Sequence, residues 1–250
     1  MVQIIILAGG MGKRMKSSLP KVLVEFNKKP MIIHVIEQAL LLDPTQVLIV
    51  VGKNTGLIIQ ETIKEWIIEK FDKLKFVLQD PPLGTGHAVH SCLPNLLNDN
   101  KTIILSGDVP NIKATTLKNY FSLDDNMDSS IYLLGFIPEN NYGYGRIVND
   151  DDYLLYICEE KECTDELKKI TLCNSGIYCI PSLFLKNYIP CIENNNNSNE
   201  YYLPDIFSFI LEEYPNSVKI KTLSTKQNLE VAGINTVEQL KQLENSLESK

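Results

Sequence analysis

The chain has 250 residues, of which 44% are hydrophobic and 22% charged, with a formal net charge of -7. This is the profile of an ordinary globular protein with one domain, or one domain with a small appendage. The acidic balance argues against a surface that coats nucleic acid, and no apolar stretch approaches the roughly 18 residues needed to span a bilayer. Six cysteines, Cys92, Cys158, Cys163, Cys173, Cys179 and Cys191, form no C-x-x-C pair, and residues 1–16 lack a signal-peptide layout. Reduced structural thiols in a cytoplasmic protein are expected.

The chain begins with an apolar run from Val2 to Leu7, whose centre, Ile4-Ile5-Ile6, reads as a strand buried on both faces. It runs into Leu7-Ala8-Gly9-Gly10-Met11-Gly12-Lys13-Arg14-Met15, with Pro20-Lys21 following. Three glycines in four residues let the backbone turn tightly and approach a ligand, with N–H groups free to face an anion. The first four cationic side chains are Lys13, Arg14, Lys16 and Lys21, and no acid precedes Glu25. A basic cluster beside a glycine turn points to phosphate binding. The turn is not a Walker loop, because Leu7 stands where its first glycine belongs and Arg14 where its hydroxyl belongs. Nor is it the dinucleotide fingerprint, because Met15 occupies the third glycine position.

Further on, apolar spacing predicts a helix over 31–42, a buried strand over 47–51 ended by Gly52, and an amphipathic helix over 57–70 with Trp66 in the core. Strands at 76–78 and 103–105 with a helix over 87–97 between them complete a βαβ rhythm, which implies a mainly parallel sheet. Ligands of such sheets lie beyond the carboxyl ends of the strands, and this nominates the loops 8–21, 79–87 and 106–110. From about 129 the rhythm changes to strands at 131–137, 146–148, 153–157 and 177–180 without long helices, read as an added region forming the other wall of a cleft. Helices over 201–214 and 237–247 flank a last strand at 218–223. No hexapeptide or other internal repeat is visible.

Two further loops carry chemistry. In the first, Gln79 offers an amide suited to the edge of a pyrimidine base, and Gly84-Thr85-Gly86 opens a helix whose N-terminus favours negative charge. In the second, Ser106-Gly107-Asp108 ends a buried strand, and a carboxylate there is placed to hold Mg²⁺ together with substrate phosphates. His87 and His90 lie three apart on one helical turn, with no third ligand nearby in the sequence.

These segments, with Tyr144-Gly145-Arg146-Ile147, Glu159-x-Lys161, Asn174-Ser175-Gly176-Ile177, Glu200-Tyr201-Tyr202-x-x-Asp205 and Val231-x-Gly233-Ile234-Asn235, follow in order along nearly the whole chain. Together they resemble the uridylyltransferase domain of the bifunctional GlmU enzymes. The resemblance implies a Rossmann-like α/β nucleotide-diphospho-sugar transferase fold, with a mainly parallel mixed sheet flanked by helices and a small β region lining the sugar site. It implies a single domain over 1–250, divided into a nucleotide-binding half (1–128), a sugar-binding half (129–235) and a C-terminal helix (236–250). The implied reaction makes UDP-N-acetylglucosamine and pyrophosphate from UTP and N-acetylglucosamine 1-phosphate, with Mg²⁺ as cofactor.

Carried over residue by residue, Leu7, Ala8, Gly9, Gly10, Gln79, Gly84, Thr85, Ser106 and Gly107 would contact the nucleotide, and Arg14 and Lys21 would be catalytic. Asp108 and Asn235 would hold the metal. Gly145, Glu159, Asn174 and Tyr201 would line the sugar pocket, with Lys161 as a further contributor. Three departures stand out. Gly9 replaces the usual Ala, Ser106 replaces the usual Tyr, and the sequence stops at Lys250 with no counterpart of the acetyltransferase repeats, so acetylation of glucosamine 1-phosphate is not expected. The alternatives are glucose 1-phosphate as acceptor with UTP or dTTP, or a module that binds a nucleotide-sugar without turning it over.

Overall fold

The computed structural model describes residues 1–10, 15, 17–121, 123, 130–223 and 227–248. In chain order the elements are β1 (Val2–Leu7), β2 (Glu25–Phe26), β3 (Lys29–Pro30), α1 (Met31–Leu40), β4 (Val47–Gly52), α2 (Gly56–Trp66), β5 (Leu74–Gln79), α3 (Thr85–Cys92) and β6 (Lys101–Ser106). There follow α4 (Ala114–Phe121), β7 (Ile131–Phe136), β8 (Arg146–Asp150), β9 (Tyr153–Cys158), β10 (Cys173–Pro181), α5 (Ser182–Tyr188), α6 (Ile206–Glu213), β11 (Val218–Thr222) and α7 (Val237–Glu248).

One nine-stranded sheet runs in the order β5-β4-β1-β6-β10-β7-β11-β9-β8. β5, β4, β1 and β6 are mutually parallel. β10 pairs antiparallel with both β6 and β7, and β8–β9 is an antiparallel hairpin at the far edge. The strands that read as unbroken apolar runs are the ones covered on both faces. Ile4, Ile5 and Ile6 are fully buried, and all six residues of β4 are buried. Alternate side chains of β1 feed two cores: Ile4 and Ile6 pack with residues of α1, α2 and α4, while Ile5 packs with α3, α5 and α6. A third cluster joins Phe26, Met31, Ile234, Leu240 and Leu243, and so anchors α7 against the β2–β3 hairpin.

Register places the site. Leu7 at the end of β1 lies opposite Val50 of β4 and Ser106 of β6, and Gly52 lies opposite Gln79 of β5. The carboxyl ends of four parallel strands therefore finish level, and the three loops nominated from the sequence leave from the same end of the sheet.

Several elements differ from the sequence expectation. α2 stops at Trp66, which is 45% exposed rather than in the core, because Ile67 just past the helix takes the buried place beside Ile59 and Ile63. α3 stops at Cys92 and passes into a 3-10 turn over Leu93–Asn95, since Pro94 has no N–H to continue the ladder. The helix expected from 201 starts at Ile206, behind a 3-10 turn over Leu203–Asp205 that contains Pro204. β10 begins at Cys173, earlier than expected, and carries a bulge between Asn174 and Tyr178 with Gly176 at φ +74. Glycine meets that left-handed requirement without strain. Among the described residues no helix is long and apolar enough to cross a membrane.

Candidate active site

Two cavities open at the level end of the sheet. The first, about 310 Å³, is walled by the turn after β1 (Ala8, Gly9, Gly10), Gln79 of β5, Gly84 and Thr85 at the start of α3, and Lys21. The second, about 230 Å³, is walled by Gly145, Glu159, Asn174, Tyr178 and Asn235. They share Leu7, Thr85, Ser106 and Asp108. The wall between them is therefore the carboxyl end of β1 and β6, and Asp108 faces both.

Lys21, in the 3-10 turn over Lys21–Leu23, reaches this junction. Its ammonium pairs with the Asp108 carboxylate and donates to Asn235 Oδ1 at 2.6 Å. Ser106 Oγ donates to the other Asp108 oxygen at 2.6 Å and so orients the carboxylate. Ile234 N–H donates to Asp108 O at 3.0 Å and ties the segment before α7 to the end of β6. Two oxygen donors from well-separated stretches of chain, Asp108 and Asn235, thus converge on one cation, the donor chemistry a hard divalent ion takes. Gly107 backs the junction closely, with its N–H on Leu7 O at 2.9 Å. A Cβ there would come within 3.1 Å of Val22 Cγ1 and 3.2 Å of Leu7 O.

On the first cavity's far wall, buried Gln79 donates through Nε2 to Gly84 O at 2.9 Å. Gly84 has φ +107, and a Cβ on it would lie 2.6 Å from Tyr201 O, so only glycine fits this turn. Gly86 N–H donates to Tyr201 O at 2.7 Å, Tyr201 N–H to Leu83 O at 2.8 Å, and Leu203 N–H to Thr85 Oγ1 at 3.0 Å. These bonds lash the start of α3 to the 200–203 segment. The helix N-terminus is thereby held with its positive end at the cavity.

On the second cavity's wall, the β10 bulge aims Asn174 inward. Its Nδ2 donates to the Tyr178 hydroxyl at 2.7 Å, and its Oδ1 accepts from Gly176 N–H at 2.9 Å. Burial pushes the Glu159 carboxyl up to about 7, helped by the negative charges of Asp205 and Glu200. Burial also raises Asp205 to about 6, with Glu162 adding to it. Arg146, 1% exposed, is paired with Glu160 at 2.8 Å and donates to Tyr144 O. Arg146 therefore clips together the two stretches that carry Gly145 and Glu159.

The structure brings Leu7, Ala8, Gly9, Gly10, Lys21, Gln79, Gly84, Thr85, Ser106 and Asp108 to the first cavity, and Gly145, Glu159, Asn174 and Asn235 to the second. Arg14 lies outside the described residues. Tyr201 is placed elsewhere: its side chain lines a third cavity with His87, His90 and Ile192, while its backbone makes the bonds described above. Lys161 is exposed and donates to Ser198 Oγ at 2.9 Å. Sequence reasoning passed over Tyr144 and Tyr178 in the second cavity and Glu200 in the first. All three lie within or beside quoted motifs, but their place on the cavity walls depends on tertiary packing such as the Phe136–Tyr144 contact and the β10 bulge.

A mixed α/β sheet whose four parallel strands end at a glycine turn, a helix N-terminus and a shared carboxylate defines a nucleotide-handling transferase. Residues 4–133 match the MobA-like NTP transferase domain model, and the chain belongs to that family. It is 43% identical to a probable UDP-N-acetylglucosamine pyrophosphorylase of Acanthamoeba polyphaga mimivirus, covering 96% of this chain and 94% of that one. It is also 37% identical to the bifunctional protein GlmU of Nitrosomonas eutropha, and 38% to that of Legionella pneumophila strain Lens. In each case 97% of this chain is covered, and the chain spans about half (51%) of the GlmU length. Among solved structures, a putative glucose-1-phosphate thymidylyltransferase from Bacillus anthracis superposes over 100% of this chain and 96% of its own, with TM-score 0.77 and 19% identity. HddC from Yersinia pseudotuberculosis gives 0.69 and 20%, over 99% and 100%. At those identities the two structures establish the fold.

Proposed function

We propose that the chain is a nucleotidyltransferase that joins UTP to N-acetylglucosamine 1-phosphate, giving UDP-N-acetylglucosamine and pyrophosphate. The observation that carries this is the shared wall: two pockets of different lining meet at Asp108, where Lys21 and Asn235 also converge. The names of the mimivirus and GlmU relatives support the same activity.

In this reading the nucleotide occupies the first cavity, its base toward Gln79 and Gly84 and its phosphates along Leu7, Ala8, Gly9 and Gly10. The sugar phosphate occupies the second, with Glu159 accepting from ring hydroxyls and Asn174 near the N-acetyl group. The phosphate oxygen of the sugar attacks the α-phosphorus of UTP in line, and pyrophosphate leaves. The nucleophile is already an anion near neutral pH, so no general base is needed. The difficulty is bringing two anions together, and the chain meets it by positioning and by fixed positive potential. Lys21, the backbone amides of the glycine turn, the α3 N-terminus and Arg14 supply that potential. Asp108 and Asn235 fit Mg²⁺, since both already aim oxygens at one cation, and the bound ion would neutralise phosphate charge.

A second reading, with glucose 1-phosphate as acceptor, draws support from Asn174, whose amide oxygen and nitrogen are both bonded within the chain. An acceptor panel separates the two. The test is the product formed from UTP with N-acetylglucosamine 1-phosphate, glucosamine 1-phosphate or glucose 1-phosphate. The first reading expects the N-acetylated sugar to be used at least tenfold better by kcat/KM, whereas preference for glucose 1-phosphate would establish the second.

A further inference from the structure

Gln79 has a fixed amide orientation, and His87 is part of the reason. The Gly84 carbonyl can only accept, so the Gln79 atom 2.9 Å from it is the NH₂ group. The same nitrogen lies 3.3 Å from Nδ1 of His87. An amide nitrogen can only donate, so this ring nitrogen carries no proton, and His87 is neutral with its hydrogen on Nε2. Both Gln79 hydrogens are then committed to the chain itself. What remains is Oε1, an acceptor, which sits 2.8 Å from the place a Cβ on Gly9 would take, on the wall of the first cavity. The His87 ring runs parallel to that of His90, with centroids 6.3 Å apart and planes 4° off parallel, and lies beside the Tyr201 ring at 6.2 Å.

We propose that His87 is a positioning residue for base recognition: by accepting from Gln79 Nε2 it holds the amide oxygen toward the nucleotide cavity, so the site takes a pyrimidine with an N3–H and turns away cytosine. Uracil and thymine carry a donor at N3 for Oε1 to accept. Cytosine presents a lone pair there, and oxygen against lone pair leaves a buried acceptor unpaired and repelled. Without the His87 acceptor only the Gly84 carbonyl holds the amide, so turning it to offer NH₂ to cytosine breaks one hydrogen bond instead of two. The inference rests on the proposed placement of the base at Gln79. Burial, and to a lesser degree His90, lowers the His87 pKa, which keeps Nδ1 bare at neutral pH. The titratable groups packed around the ring are His90 on α3 and Tyr201 on the adjoining segment.

The test is calorimetric titration of the full chain with UTP and with CTP, for wild type, His87→Phe and His87→Asn. Phenylalanine keeps the ring packing without the acceptor, and asparagine returns an acceptor oxygen near the Nδ1 position. The wild type is expected to prefer UTP by roughly 10²-fold, His87→Phe to lose about tenfold of that ratio, and His87→Asn to recover most of it. In the wild type the ratio falls once the pH is low enough to protonate Nδ1, because that proton turns the acceptor into a donor, while triphosphate titration cancels between the two nucleotides. If His87→Phe does not fold, this pH dependence and His87→Asn decide. An unchanged ratio in His87→Phe, with both affinities falling together, would reduce His87 to packing and overturn the inference. Equal wild-type affinity for UTP and CTP would overturn it while leaving nucleotide binding intact. No affinity for either would sink the base placement beneath it as well.

Discussion

Lys21 Nζ lies 2.6 Å from Asn235 Oδ1, across 214 residues of chain, and the same ammonium pairs with Asp108. The lysine thus stands between the two oxygens proposed to hold the metal. Metal should enter only when nucleotide phosphates draw the ammonium away. Manganese binding followed by electron paramagnetic resonance should therefore be weak in the free wild-type chain and several-fold tighter with UTP. Lys21→Met should bind manganese without nucleotide more tightly than wild type, yet turn over roughly 10²-fold more slowly. Weaker manganese binding by Lys21→Met would contradict the arrangement.

Glu159 gives a pH signature. Its carboxyl is pushed up to about 7, first by burial and then by Asp205 and Glu200. Ionised Glu159 is the form that accepts from sugar hydroxyls, so KM for the sugar phosphate should rise as pH falls below about 7 and level off above 8. Glu159→Gln should remove that slope relative to wild type, at the expense of a higher KM throughout. Stability runs the other way. A carboxyl whose pKa is raised on folding contributes most below its unfolded value and loses that contribution as pH climbs through the folded one. The melting temperature of Glu159→Gln relative to wild type should therefore increase between pH 5 and pH 8.

Gly84→Ala should be costly. The residue has φ +107, and the new Cβ would lie 2.6 Å from Tyr201 O and 2.9 Å from Tyr201 N, backbone atoms with little room to yield. A penalty of about 1–3 kcal/mol should appear as a lower melting temperature, roughly 2–4 °C per kcal/mol for a chain of this size. UTP affinity should fall too, because Gly84 O holds Gln79. A variant that melts and binds like wild type would show that the lashing to Tyr201 is dispensable.

Tyr178→Phe should free one hydrogen of Asn174. The hydroxyl is the 2.7 Å partner of Nδ2, and both groups line the second cavity. Losing one buried hydrogen bond of about 1 kcal/mol should raise KM for the sugar phosphate several-fold, with KM for UTP unchanged. Steady-state kinetics with each substrate varied in turn checks this. A rise in the UTP KM instead would place Tyr178 outside the sugar pocket.

Much of the nucleotide side was legible in the sequence because it is made of local signals. Unbroken apolar runs gave β1, β4 and β6, and glycine-rich loops at their ends gave the first cavity. The sugar side was harder to read. Asn174 and Glu159 were named through resemblance, but their surroundings depend on long-range packing: the bulge that turns Tyr178 inward, and the Arg146–Glu160 pair that joins two hairpin ends. Trp66 and α2 show the same limit from another direction. Helical periodicity assigns a face, but it does not say that Ile67 beyond the helix end will fill the core position instead. Likewise, the Lys21 link to Asp108 and Asn235 joins three separate stretches of chain, held together by long-range contacts such as the Ile234 N–H bond to Asp108 O.

The most direct measurement is pyrophosphate release from UTP and N-acetylglucosamine 1-phosphate in the presence of Mg²⁺, with and without EDTA, for wild type and Asp108→Ala. The two joined cavities predict release in step with UDP-N-acetylglucosamine, abolished by EDTA and cut roughly 10²-fold or more in a folded Asp108→Ala. Absence of release by the wild type despite measurable binding of UDP-N-acetylglucosamine would contradict catalysis and leave a nucleotide-sugar binding module in its place.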